Sequence, residues 1–400
     1  MAGTWADIGK EFRRASAIQR IVRSVAWELL SDPKPLDLDR VPPSPQALTP
    51  EYLTKILCAG HPDAQVTSIT LGAATSGSGD RCAFSVTYNA AGDQAGLPRD
   101  LFHKCLKSFY TRLHLLRCGI IENEPGFYSV IRPELDIEAP RAYHSVLEPR
   151  TYRLSIIMDD VVVSKGASFF EVSTPVLRTD IEGMLTILAD THAKYWESPR
   201  LDNEFRWLMK PDKYCATLTE GMELRELTAT GFERARSVVP PALSTRGEEI
   251  WGAFVKSMDL SSRVPLTYLH GDPHLRNYYK TASGRVGLSD WQCTMKGAWS
   301  HDFAYAMLTS LPVENRRSWE KELLKFYLDR VRAKGGNPPT PEAAWELYRR
   351  QTLYTFVGWL VTIGFGALQP SMQPDSESLE IIRRAAIAVD DLGSLALLRG

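Results

Sequence analysis

The residues of the 400-residue chain best suited to chemistry sit together in one stretch of loops. It reads Leu269-His270-Gly271-Asp272-Pro273-His274-Leu275-Arg276-Asn277-Tyr278-Tyr279 and turns around Ser283-Gly284. It then continues Val286-Gly287-Leu288-Ser289-Asp290-Trp291-Gln292. Two carboxylates and one amide thus stand on two short apolar segments joined by a hairpin. Singly, Asp272 and Asp290 are ordinary turn residues. Together with Asn277 they form the set that phosphoryl transfer needs: one carboxylate for the attacking hydroxyl, an Asn and a second Asp for the magnesium that bridges the phosphates. Magnesium takes hard oxygen ligands and keeps several waters, so few protein ligands suffice. Zinc between His270 and His274 is disfavoured, because Pro273 argues against a helix there and no third soft ligand is near.

The hydrophobic pattern shows which elements must position this island. From residue 66 the period is near two, and 66–71, 81–88, 100–109 and 152–158 read as strands, with turns at 71–80 and 89–98. Residues 113–132 are helical in places, so 66–160 reads as a small antiparallel sheet with one helix. After 175 the period becomes helical over 176–196, 216–238, 243–258, 302–311, 317–334, 341–366 and 375–398, interrupted by the 265–291 island. A β-rich half followed by an α-rich half is an α+β pattern. In front, 5–31 is an amphipathic helix or helix pair, read as packing on its own domain in preference to a membrane-surface or partner helix. A proline-rich linker over 32–50 follows, and Thr49-Pro50-Glu51 opens a short helix that runs to 57.

Composition removes several classes. A hydrophobic share of 44% with 24% charged residues is that of an ordinary globular chain, which excludes a disordered or coiled-coil protein. Lys plus Arg number 47 against 48 Asp plus Glu, so the net charge of -1 makes no case for nucleic-acid binding. The apolar run 353–368 is shorter than the ~20 residues that span a bilayer, and reads as a buried core helix, with no membrane insertion. The six cysteines (Cys58, Cys82, Cys105, Cys118, Cys215, Cys293) contain no C-x-x-C pair. They read as free thiols in a reducing, cytoplasmic setting.

The spacing from Asp272 to Asn277 equals that of the kinase loop H-R-D-x-x-x-x-N, with Gly271 where protein kinases carry Arg. His270, Gly271, Asp272, His274 and Asn277 fit H-G-D-x-H-x-x-N. Asp290-Trp291-Gln292 fits a metal-Asp segment, and 297–305 fits G-x-x-x-x-D-L-A-Y with Phe303 in place of Leu. On these residues the chain resembles the aminoglycoside-phosphotransferase superfamily, closest to its ecdysteroid-kinase-like and choline-kinase-like branch, over roughly residues 50–395 on a domain-sized scale.

The resemblance implies a bilobal, protein-kinase-like α+β fold. Residues 1–45 would be a helical extension and linker, 46–160 a small antiparallel-sheet N-lobe, and 161–400 a larger helical C-lobe holding the catalytic loop and the substrate pocket. It implies ATP and Mg²⁺ as cofactors. Asp272 orients the nucleophile, His270 belongs to the same catalytic loop and braces it, and Asn277 and Asp290 bind the metal. Lys104 on the third strand neutralises the phosphates; Lys107, of opposite strand parity, is the runner-up. Glu124, three before Phe127-Tyr128, would pair with that lysine, with Glu122 as substitute because Pro125-Gly126 break a helix. The turn 72–79, with Ser76, Gly77 and Ser78, would cover the phosphates with backbone N–H groups. It has no Walker A lysine, so it is not a P-loop. Met158 lies where a hinge would meet adenine. Asp302 orients the loop from the next helix, and His192 is a packed helix histidine. Trp207, Tyr268, Trp299, Tyr354 and Trp359 either line an apolar substrate pocket or, for most of them, pack the core.

The expected activity is transfer of the γ-phosphate of ATP to the hydroxyl of a small, fairly hydrophobic alcohol: a natural product, a steroid or an amino-alcohol. An aminoglycoside-type resistance kinase is one alternative. It is weakened by the scattered acids of the C-terminal helices (Glu342, Glu346, Asp375, Glu377, Glu380, Asp390, Asp391). A nucleotide-binding pseudokinase is the alternative from another class, and the intact Lys, Asp, Asn and Asp set speaks against it.

Overall fold

A computed structural model describes residues 5–76, 79–366 and 373–399. The chain forms two compact units. The first takes residues up to Arg117, Tyr128–Pro133 and Pro140–Ser164. The second takes Cys118–Phe127, Glu134–Ala139 and everything from Lys165.

The first unit is built on five strands: β1 (Val66–Ser76), β2 (Asp80–Tyr88), β3 (Asp100–Cys105), β4 (Ala142–Glu148) and β5 (Arg153–Asp159). They pair antiparallel in the order β1-β2-β3-β5-β4. The alternation in β2 turns Cys82, Phe84, Val86 and Tyr88 inward. Phe84 and Val86 pack with Leu53, Leu57 and Leu101 in one apolar cluster. The Pro50–Leu57 helix on that cluster starts as its sequence directs. Thr49 Oγ1 accepts the Tyr52 N–H at 3.1 Å, and Pro50 occupies the first turn, where no N–H is needed.

Three features of this unit differ from the sequence pattern. The small-residue stretch after Leu71 is not all turn. It continues β1 to Ser76, past a register shift between Leu71 and Ala74, because glycine lets the backbones close in: a Cβ on Gly72 would stand 2.8 Å from the Ala83 carbonyl. β3 ends at Cys105 and not at 109, because Ser108 Oγ accepts the Thr111 N–H at 3.0 Å and opens the Phe109–Cys118 helix. β4 was not predicted: all seven of its residues are half-buried, so its sequence carries no alternation to read. The N-terminal helix is one continuous element, Trp5–Ser31, and clusters with the sheet.

The second unit is mainly helical, so the α+β class read from the sequence holds. Its major helices are Arg178–Lys194, Pro211–Met222, Leu224–Arg234, Gly247–Ser261, Ser300–Ser310, Val313–Ala333, Pro341–Gly364 and Asp375–Asp391. The segment expected to be one helix over 216–238 is two, divided at Glu223 in the left-handed region (φ 57°). Between helices lie β6 (Ser168–Phe169), β7 (Thr267–Leu269), β8 (Tyr278–Lys280), β9 (Val286–Leu288) and β10 (Met295–Gly297). They form a β6-β8-β9 sheet and a β10-β7 pair. The apolar run from 353 falls in the Pro341–Gly364 helix, where Leu353, Phe356, Val357 and Leu360 are buried in the core; residues 367 and 368 lie outside the described residues. Among the described residues, no helix is long and apolar enough to cross a membrane.

The Pro341–Gly364 helix meets Leu224–Arg234 backbone to backbone. A Cβ on Gly231 would fall 1.9 Å from the Leu360 carbonyl, and one on Gly364 would fall 2.1 Å from the Leu227 carbonyl. Both carbonyls are main-chain atoms and cannot swing aside. Gly231→Ala is therefore expected to cost about 1–3 kcal/mol or more of stability. A thermal melt within a degree of the wild type would contradict this account of the helix contact.

Candidate active site

The loop after β7 is held by a carboxylate from the following helix. Asp302, with no exposed surface, accepts the His270 N–H at 2.7 Å and the Gly271 N–H at 2.9 Å. His192 Nε2 lies 3.1 Å from the same carboxylate. With Asp302 ionised that nitrogen is the donor, and Nδ1 lies 2.6 Å from the Tyr327 hydroxyl. Burial works against a charged Asp302, but the His192 hydrogen bond and the surrounding histidines outweigh it and hold the carboxyl below its usual range. The expected orienting role of Asp302 is thus met. His192, read as packed, is packed and also serves Asp302.

Gly271 makes a turn no other residue could make here. Its φ is +82°, and a Cβ would stand 2.0 Å from the Cys293 carbonyl. Its own carbonyl accepts from the Tyr354 hydroxyl at 3.2 Å. His270 spans the two halves of the island. Its Nε2 donates to the Ser289 carbonyl at 3.0 Å, which leaves Nδ1 to accept the Asp272 N–H at 3.3 Å. Burial lowers the imidazole's pKa, in keeping with this neutral form. Its ring meets Trp291 edge-on, with centroids 4.5 Å apart, and Trp291 stacks on Phe127 at 3.9 Å.

Asn277 closes the loop. Its Nδ2 donates to the Asp272 carbonyl at 2.9 Å, so Oδ1 is the end of the amide suited to a cation. Its backbone carbonyl accepts from Ser289 twice, from N–H at 2.9 Å and from Oγ at 3.0 Å. Ser289 precedes Asp290 directly, so the loop that carries Asp272 and Asn277 is bonded to the segment that carries Asp290. Asp290 itself takes the left-handed conformation (φ 61°, ψ 64°), which aspartate tolerates better than most residues. The structure therefore brings Asp272, Asn277 and Asp290 together. An amide oxygen and a carboxylate are hard donors and fit magnesium. Among the described residues there is no group of three or more His, Cys, Asp or Glu that could hold a metal ion.

Burial pushes the Asp272 carboxyl up to about 7, although 29% of the side chain stays accessible. A hydrogen bond from Tyr305 pulls it back, while the charges of Asp290 and Asp302 raise it further. Tyr305 lies one turn after Asp302 on the Ser300–Ser310 helix, and sequence reasoning assigned it no part in the site although it ends the A-Y segment. Ser289 was missed as well. Its contribution is its backbone N–H and carbonyl and its hydroxyl, which spacing does not reveal. Burial lowers His274 to about 3; its Nε2 is 3.8 Å from Asp272 Oδ2 and its ring faces Trp359. Tyr268 and Trp299 are core residues, whereas Trp207 packs on Gly126.

The nucleotide residues expected from the sequence are distributed over both units. Lys104 is buried in β3, opposite Arg81 and Ile156. Its Cε lies 3.8 Å from where a Cβ on Gly79 would be, so the lysine runs beside the glycine-rich turn. Lys107 is exposed and beyond the end of the strand. Met158 is buried in β5, opposite Phe102. Ser76 ends β1, and Gly77 and Ser78 lie outside the described residues. Glu124 is buried in the second unit on a one-turn helix, Asn123–Gly126, whereas Glu122 is exposed. That turn is tied to the island: Asn123 Nδ2 donates to the Gln292 and Thr294 carbonyls at 3.1 and 2.8 Å. A helix does begin at this point, with Pro125 in its first turn, where proline is tolerated.

Residues 127–343 match the family described as phosphotransferase enzyme family, APH, and the chain belongs to it. Membership makes the protein a phosphotransferase that acts on small-molecule hydroxyl groups. Among solved structures it is similar to the choline kinase LicA from Streptococcus pneumoniae, with 14% identity over 82% of this chain and 94% of that one, and a TM-score of 0.46. A Plasmodium vivax ethanolamine kinase is 11% identical over 86% of each chain, with a TM-score of 0.43. A spectinomycin phosphotransferase in complex with ADP and spectinomycin is 11% identical over 88% of this chain and all of that one, with a TM-score of 0.45. None of the three likenesses is close enough to assign a substrate. No curated protein matches the chain.

The raised Asp272 predicts a pH signature. Its carboxyl ionises near 3.8 in the unfolded chain and near 7 in the folded one. Between those values the unfolded state is the one that loses the proton, so stability falls as pH rises through that window and is flat above it. Asp272→Asn cannot ionise. Its melting temperature in the metal- and nucleotide-free protein is expected to gain on the wild type from pH 4 to pH 7 and to hold that gain at pH 8. A difference that does not change with pH would refute a raised Asp272.

Proposed function

We propose that the protein is an ATP-dependent kinase that transfers the γ-phosphate to the hydroxyl of a small, uncharged and largely apolar alcohol. The observation that carries this reading is the Asp272 carboxylate, fixed by its loop beside Asn277 and Asp290 and left partly accessible. Asp272 aligns the acceptor hydroxyl and takes its proton as the oxygen attacks. A carboxyl raised to about 7 is well placed for this, since a base works best with a pKa near the working pH. His270, Asp302 and Ser289 hold that carboxylate in place, so the loop need not reorganise during the reaction. Asn277 and Asp290 would hold Mg²⁺, which supplies charge neutralisation at the phosphates when bound. Lys104 and the backbone of the glycine-rich turn would meet the same phosphates, Glu124 would pair with Lys104, and Met158 would lie against adenine.

The acceptor class is argued from what surrounds Asp272. Tyr214, Tyr305 and Tyr354 have phenol pKa values held well above the usual range, primarily by burial, and each responds to the Asp272 charge. Burial also keeps the Cys293 thiol protonated, and His274 is neutral. These five are uncharged; the charges that act on Asp272 are those of Asp290 and Asp302. Of the seven acids of the C-terminal helices, four are already engaged: Glu377 pairs with Arg276, Glu380 with Arg383 and Arg384, Asp391 with Arg317, and Glu346 with Arg350. An uncharged alcohol therefore suits the surroundings better than an aminoglycoside. The six free cysteines suit a reducing cytoplasm.

Two measurements test this. ATP turnover over a panel of alcohols should rise with neutral, apolar acceptors and not with aminoglycosides; strongest turnover on a polyamine antibiotic would overturn the acceptor class. On the best acceptor, Asp272→Ala should lower kcat by about 10²–10⁴-fold while nucleotide binding is retained. Near-wild-type turnover by that variant would remove Asp272 from its role.

A further inference from the structure

Arg112 has no exposed surface, and none of the chemistry proposed above uses it. Its Nε donates to the Leu106 carbonyl at 2.8 Å, and one terminal nitrogen reaches the Lys107 carbonyl at 3.5 Å and Glu28 Oε2 at 2.5 Å. The other terminal nitrogen donates to Glu28 Oε1 at 3.0 Å and to Ser24 Oγ at 3.2 Å. Glu28 is also buried, on the inward stripe that the N-terminal helix makes with Ala17, Ile21 and Ser24. A bidentate, dry guanidinium–carboxylate pair thus bolts the Trp5–Ser31 helix to the two carbonyls that follow β3.

The place of that bolt matters. β3 ends at Cys105, one residue after Lys104. The same exit is held from its other side by Asp80, whose Oδ2 accepts the Lys107 N–H at 2.9 Å and which faces Cys105 in the ladder. Asp80 is the first residue of β2 after the glycine-rich turn. The N-terminal helix, the end of the lysine strand and the close of the turn therefore share one hydrogen-bonded network. Removing Glu28 would leave a buried guanidinium without its carboxylate, which a protein resolves by opening the region to water.

We propose that Glu28 and Arg112 make the N-terminal helix a positioning element for the nucleotide: they fix the exit of β3 and, through it, Lys104 and Asp80. This rests on the reading of Lys104 as a phosphate-binding residue. Through Glu28 the helix is then tied to the nucleotide-binding strand and is not a mere appendage. Neither Glu28 nor Arg112 touches substrate; both act through the strand end.

The test uses the full chain, a non-hydrolysable ATP analogue with Mg²⁺, and no acceptor. Glu28→Ala is expected to weaken analogue binding about tenfold, as loss of a buried charge partner does, and to speed amide hydrogen exchange over residues 104–108. Leu30→Ala, at an 88% exposed position on the same helix, should change neither. Lys104→Ala is measured alongside. If Lys104→Ala binds the analogue normally, the nucleotide reading itself fails. If Lys104→Ala is impaired and Glu28→Ala is not, only the role of the helix fails. Should Glu28→Ala not fold, Glu28→Gln carries the test, because it keeps the volume and an acceptor for Arg112. It must weaken binding and loosen 104–108 together, and a lower melting temperature with unchanged analogue affinity would make the pair merely structural and overturn the proposal.

Discussion

A carboxylate with no exposed surface stays charged only if donors surround it, and Asp302 has the backbone N–H groups of His270 and Gly271 and the imidazole of His192 around it. The loop is therefore shaped around a charge fixed in a helix. From that point the constraints run outward. His270, once placed, joins the Asp272 amide to Ser289; Ser289 joins Asn277; and Asp290 follows Ser289 in the chain. Asp272, Asn277 and Asp290 are thus each set in place by a neighbour. Such placement is what a phosphotransferase needs, since its catalysis consists largely of positioning and charge compensation.

How much of this was legible in the sequence follows from distance along the chain. The loop residues were readable because Asp272, Asn277 and Asp290 fall within one short stretch, and Asp302 because it opens the next helix in a recurring segment. Tyr305 stands in that segment too, but a tyrosine there reads as core until its hydroxyl is seen at Asp272. The Glu28–Arg112 pair was invisible. Its partners are 84 residues apart, and an Arg and a Glu on amphipathic helices look like solvated surface until both prove to be buried.

The fold shows the same division. β2 and the Pro50–Leu57 helix were readable because alternation and capping are local properties. β4 was not, because a strand half-buried along its whole length has no pattern of its own and is specified by pairing with β5. The β1 extension through Gly72 and the break at Glu223 depend on close approach and on a single left-handed residue, neither of which has a hydrophobic period.

Gly271 has a consequence for how variants of this chain should be interpreted. Its intolerance of a side chain comes from the Cys293 carbonyl behind it and from its own positive φ, not from any substrate in front of it. In a saturation survey scored by activity, position 271 would be as intolerant as a residue that meets substrate, which is the role proposed for Asp272, and a ranking by intolerance would class the two alike. Only a readout that separates folding from turnover would split them. The map of essential positions in this loop is therefore larger than the map of positions that meet a ligand.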